Sequence, residues 1–162
     1  MHYATSLEEV LWGATLVAAT MAMHGCGMLA TLVACRAMGH GGAQRLSFMR
    51  GGAILILASW MIVLVHLLEV LLWAAFFLWQ GAMADPSTSY YFALMQYSTV
   101  GSSLGLPLRW RLLDGMLPIA ALMSFAWSTG VLFMLAQDFQ NTQLSAIQER
   151  RQARRAKRAG PR

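Results

Sequence analysis

Three long apolar runs dominate the chain, from Leu7 to Cys35, Gly52 to Trp79 and Leu112 to Ala136, with polar stretches between and after them. Each suits a helix that crosses a bilayer, because roughly 20 apolar residues at about 1.5 Å rise span about 30 Å of hydrocarbon. The first run is longer than a signal peptide's apolar part and opens with Glu8 and Glu9 instead of a basic cluster. It reads as a retained helix. About 30 residues separate the second and third runs, too many for a tight turn and too few for two more crossings. Within them, Asp85-Pro86-Ser87-Thr88 is a helix-start signal, with Pro86 halting any earlier helix and Ser87 or Thr88 as the cap. The aromatic and apolar stretch from Tyr90 to Tyr97 then predicts a helix too short to span. The segment Ser98 to Pro107 that follows has no helical period and carries Gly101 and Gly105. Such backbone is tolerated at membrane depth where protein buries it or where it lines a water-filled cavity.

The pattern predicts an all-α integral membrane fold. It comprises an N-terminal helix in 1–36, a loop at 37–51, an outer helix at 52–80, a short re-entrant helix at 87–98, an irregular segment at 99–105, an inner helix at 111–137 and a tail at 138–162. Composition agrees, since 57% of the residues are hydrophobic and 12% charged, a balance that suits lipid more than a soluble core. Charge adds a direction. Of the 12 Lys and Arg residues, Arg36, Arg45 and Arg50 lie between the first two helices and seven lie from Arg150 onward. The excess of positive charge on cytoplasmic loops places both regions inside and leaves the N-terminus and 81–111 outside. Only Arg109 and Arg111 break the pattern. Three crossings with the N-terminus outside demand the same placement.

The first helix carries Ala14, Ala18, Ala22, Cys26, Ala30 and Ala34 at an unbroken spacing of four. Such a ridge lets helix backbones approach closely, so this face is expected to pack against protein, with Gly25 and Gly27 widening it. Cys26 and Cys35 lie on opposite sides of that helix and cannot bridge within one chain. His24 beside Cys26 is two ligands short of a metal site. On the second helix His66 and Glu69 share a face. A carboxylate at membrane depth marks a functional site by default. Three roles compete for Glu69: a hydrogen bond to the re-entrant segment, a protonation switch with His66 as its partner, and the proton relay of a small transporter. Trp73, one turn beyond, is expected to pack, whereas Trp79 suits an interfacial belt. On the third helix Pro118 frees a backbone carbonyl and is a kink candidate. Gly130 is either a hinge or a close-packing site. Ser124 and Ser128 share a face that wets a cavity or bonds back to helix carbonyls. The tail residues Arg150, Arg151, Arg154, Arg155, Lys157 and Arg158 are expected to anchor the topology and meet anionic lipid headgroups. Nucleic acid is the less favoured partner. No nucleophile–base pair or metal triad is visible, so an enzyme is not expected.

From about Trp60 to Gln137 the chain resembles the pore module of bacterial two-transmembrane potassium channels, and in particular a small three-helix branch of them. Ser98-Thr99-Val100-Gly101 is similar to the first half of that family's filter. His66, Glu69 and Trp73, then Trp110-Arg111-Leu112-Leu113, then Trp127-Ser128-Thr129 follow in the branch's order. The resemblance implies a homotetramer in a bacterial plasma membrane, with His66, Glu69 and Trp73 supporting the pore. It implies a monovalent cation, potassium or sodium, held by carbonyls of Thr99, Val100 and Gly101, with no cofactor. Ser102, Ser103 and Leu104 stand where the family has tyrosine, glycine and aspartate. Potassium selectivity is therefore not carried over, although the hydroxyls of Ser102 and Ser103 offer substitute ligands. Arg109 and Arg111 make the outer mouth more positive. The expectation is a weakly selective channel. The rivals are a non-conducting scaffold or modifier, a proton-coupled transporter using Glu69, and a pore completed by another subunit.

Overall fold

The protein, seen in a computed structural model, is described over residues 6–40 and 48–159. Four α-helices carry it: α1 Leu7–His40, α2 Phe48–Trp79, α3 Pro86–Tyr97 and α4 Leu113–Ala159, with one 3-10 turn at Leu108–Trp110. Three of them, α1, α2 and α4, are long and apolar enough to cross a membrane. The short α3 lies between the second and third of these and packs against α2 and α4.

The helix starts follow from local chemistry. Ser6 and Glu9 have the spacing of a reciprocal capping box, and the Glu9 N–H donates to Ser6 Oγ at 3.2 Å. At α3 the cap is Asp85, not Ser87 or Thr88. Its carboxylate accepts from the Thr88 N–H at 2.9 Å and from the Thr88 hydroxyl at 2.7 Å. Pro86 opens the helix from its first turn, where a missing N–H costs nothing. These bonds from Thr88 hold the Asp85 carboxyl below the usual carboxylate range. A carboxyl whose folded value is depressed stabilises the fold above the ordinary range, and that stabilisation is lost as pH falls through the depressed value. The protection factors of the Thr88 and Ser89 amides are therefore expected to drop in acid in the wild type. In Asp85→Asn hydrogen exchange should show no such pH step.

The inward face of α1 differs from the expected one. Leu16, Thr20, His24 and Met28 are buried, while Ala14, Ala18, Ala22, Cys26 and Ala30 are exposed in the single chain. The two stripes are offset by two residues, which is about 200° around a helix axis. Polar His24 belongs inside because lipid leaves it unsatisfied, while Thr20 donates to Leu16 O of its own helix and accepts from Trp73 inside. Gly25 and Gly27 do allow close approach. A Cβ on Gly27 would stand 2.5 Å from Val65 on α2, and one on Gly25 would stand 3.1 Å from Trp127 on α4.

Two apolar cores result. One gathers Trp73, Phe77, Phe92, Leu113 and Leu117 around α3, and the other gathers Met28, Ala58, Ile62, Val131 and Leu135 toward the far end. Trp73 is fully buried, whereas Trp60 and Trp79 are exposed. The last helix exceeds its expected length, running unbroken through Pro118, Gly130 and the basic stretch to Ala159. Its tail has no Gly or Pro between Gly130 and Gly160 and is rich in Gln, Ala and Arg, which favour helix. Arg45 and Arg162 lie outside the described residues, as do the side chains of Arg150, Lys157 and Arg158. Arg151, Arg154 and Arg155 are exposed.

Candidate functional site

Between the two cores lies a layer of polar side chains to which every helix contributes. Glu69 of α2 is fully buried and accepts hydrogen bonds from two directions. One oxygen faces His24 Nδ1 of α1 at 2.7 Å. The other accepts from the Tyr97 hydroxyl at the C-terminal end of α3. His66 Nδ1 is 3.7 Å from Glu69 and 2.8 Å from the Tyr97 oxygen. On the opposite side of both imidazoles, Ser128 Oγ of α4 sits 3.2 Å from His24 Nε2 and 3.1 Å from His66 Nε2. Ser128 thus bridges two histidines and does not bond back to its own helix. One turn earlier, Ser124 Oγ lies beside Tyr97 and is the only buried side-chain polar atom among the described residues without a hydrogen-bond partner. Just outside the layer, Trp73 donates its indole N–H to Thr20 Oγ1 at 2.9 Å.

The expected hydrogen bond from Glu69 to the segment between the second and third long helices is present, through Tyr97 of α3. The nearer histidine is His24 and not His66. Sequence reading missed this because it followed the alanine ridge. The usable signal was His24 in register with Thr20 and Met28, one turn either side. Tyr97 also escaped notice, being read only as an aromatic of α3.

Tyr97 joins this layer directly to the segment that follows it. The N–H of Thr99 donates to Gln96 O at 3.0 Å and that of Gly101 to Met95 O at 3.1 Å. Both residues have positive φ, 62° at Thr99 and 82° at Gly101, and no peptide bond among the described residues is cis. A trans peptide points its carbonyl opposite to its N–H. The carbonyls of Ser98 and Val100 therefore both turn away from the end of α3, and Ser98, Thr99 and Val100 are exposed in the single chain. Left-handed backbone at a threonine costs about 1–2 kcal/mol, which the two returning hydrogen bonds help to offset. Further along, Ser102 Oγ accepts from the Leu104 N–H at 3.1 Å, so one lone pair of that hydroxyl is already engaged. Ser103 is exposed.

The start of α1 grips the residues after this segment. Glu9 is buried and accepts from the Leu112 N–H. Glu8 pairs with Arg109 at 2.6 Å, and the Arg109 guanidinium stacks over Trp110 at 5.0 Å. The Arg109 charge is therefore met by Glu8. Pro118 and Gly130 lie within a continuous helix, and Gly130 faces open space, so it is not a close-packing site within one chain.

Fold and site define a class: an all-α protein with three helices able to cross a membrane, a short helix between the second and third, and a buried His–His–Glu–Tyr layer. No protein-family model, curated protein or solved structure matches the chain.

Proposed function

We propose that the chain is the subunit of a tetrameric, potassium-channel-like cation channel, weakly selective among monovalent cations. The observation that carries this reading is that the Thr99 and Gly101 N–H groups both turn back onto α3, which turns the Ser98 and Val100 carbonyls away from it. Four copies around one axis would stack two rings of carbonyl oxygens, the type of ligand that replaces the water shed by a cation. The C-terminal end of α3, with its partial negative charge, ends at the same place. Glu69 and His66 brace that end through Tyr97, and Trp73 packs behind them. The outer half of the path lacks an acidic residue, and the Ser102 hydroxyl is turned back toward Leu104, so coordination is confined to the inner layers. In this reading the N-terminus and 81–111 face outward across a bacterial plasma membrane. Arg151, Arg154 and Arg155, with Arg150, Lys157 and Arg158, meet anionic lipid inside, and Pro118 and Gly130 are the points where α4 bends on gating.

The engaged Ser102 hydroxyl also favours a second reading, a non-conducting channel-like scaffold whose outer filter has collapsed. Flux separates the two. Reconstituted in liposomes, the protein is expected to pass potassium and sodium at comparable rates and to exclude a large organic cation. Potassium flux alone would show that the serines rebuild a selective filter. No flux of either ion would favour the scaffold. Proton movement that survives loss of the filter and vanishes in Glu69→Gln would favour a transporter.

A further inference from the structure

The polar layer has the donors of a metal centre, and its hydrogen bonds can be counted. Leaving aside the longer Ser128–Met28 contact, the contacts His24–Glu69, His66–Tyr97, Tyr97–Glu69, Ser128–His24 and Ser128–His66 each need one proton. With Glu69 ionised and both imidazoles neutral, His24, His66, Tyr97 and Ser128 supply one proton each. One more proton, shared by Glu69 and His24, completes the set and makes the layer electrically neutral. Neutrality is what a buried site of low dielectric constant demands.

From this geometry we propose that His24, His66, Glu69 and Tyr97 form a buried, four-coordinate site for a divalent transition metal of the zinc class, taken up in exchange for two protons. The site stands apart from the channel reading and does not depend on conduction. One donor atom from each of His24, His66 and Glu69 lies within 4.8 Å of the others, and the Tyr97 oxygen is 2.8 Å from His66 Nδ1. Two imidazole nitrogens and two oxygens suit tetrahedral zinc, whose bonds of about 2.0–2.2 Å set its donors about 3.4 Å apart. His24 Nδ1 now lies 2.7 Å from one Glu69 oxygen and His66 Nδ1 3.7 Å from the other, so uptake draws both histidines onto a shared carboxylate oxygen and narrows a donor spread of up to 4.8 Å.

Charge and hydrogen bonds both balance in the filled site. The shared proton and the Tyr97 proton leave. A divalent ion with one carboxylate and one phenolate is then neutral, as the empty layer is. Each imidazole binds through Nδ1 and keeps its proton on Nε2, where Ser128 Oγ accepts from both. Such partners fix the tautomer and ring orientation of metal-bound histidines. The Ser128 proton points to Met28 Sδ, 3.9 Å away. Independently of the ligands, Ser124 supplies a buried hydroxyl beside Tyr97 that lacks a partner. A phenolate gives it one. His66 is 13% exposed while Glu69 and His24 are fully buried, which makes His66 the edge by which an ion enters.

The test uses the full chain in mild detergent, stripped with chelator and titrated with cobalt(II). The expected result is one equivalent per chain with the strong visible absorption of tetrahedral cobalt, displaced by zinc. Calorimetry in buffers of different ionisation enthalpy should count two protons released per metal. His24→Ala and Glu69→Gln are expected to lose the absorption. Tyr97→Phe removes one hydroxyl, and is expected to weaken binding at least about tenfold and to release one proton instead of two. A wild-type protein that gives no tetrahedral cobalt spectrum would overturn the proposal. So would a spectrum and proton count unchanged in both His24→Ala and Tyr97→Phe, since the metal would then sit elsewhere.

Discussion

Replacing Glu69 by alanine is expected to destabilise the folded protein by about 3–5 kcal/mol, the usual cost of removing one partner from a buried charged pair. The carboxylate is fully buried and receives contacts from His24 and Tyr97, so its loss strands donors from α1 and α3 together. Denaturant unfolding in detergent micelles measures the change. The cause is separable from simple loss of volume. Glu69→Leu combined with His24→Leu removes both ends of the closest pair, and should recover part of the stability lost in Glu69→Ala, because the α1 donor is no longer stranded while the Tyr97 hydroxyl keeps only His66 as a partner. If the double variant is as unstable as the sum of its singles, the pair is not what holds α1 to α2 here.

Gly101→Val is expected to reduce cation flux to background while leaving the fold largely intact. Gly101 has φ of 82°, a region that costs a side-chain-bearing residue about 1–2 kcal/mol and a β-branched one more. No neighbouring atom lies within 4 Å of a Cβ built there, so the effect comes from backbone preference and not from a clash. Relaxing φ would swing the Gly101 N–H away from Met95 O and turn the Val100 carbonyl out of line. Gly101→Ala should fall between the two. Liposome flux gives the activity, and thermal unfolding of the same preparations shows whether the loss is local. Flux unchanged in Gly101→Val would contradict a path along these carbonyls.

Much of this architecture was legible before any coordinates. Length and apolarity alone define three crossing helices, because a bilayer admits few alternatives to them. Asp85-Pro86-Ser87-Thr88 marked the start of α3, although the cap proved to be Asp85, whose carboxylate takes both the N–H and the hydroxyl of Thr88. The inward face of α1 was misjudged for an identifiable reason. Regular small residues attract attention as a packing ridge, but in lipid the stronger constraint is where His24 finds partners. Glu69 announced itself by its cost at membrane depth, whereas Tyr97 and Ser128 did not, since neither residue type is unusual in such helices. The extension of α4 to Ala159 was hidden by its polarity, because apolar periodicity fades in a polar helix. Its lack of Gly and Pro was the available clue.

The central claim is that the Ser98 and Val100 carbonyls face a conduction axis. The most direct measurement is a structure of the assembled protein in thallium, a heavy monovalent stand-in for potassium. The account predicts four chains around one axis, with ion density on that axis level with the two carbonyl rings. An assembly in which these carbonyls face away from any axis, or a four-fold axis with no ion density beside them, would contradict it.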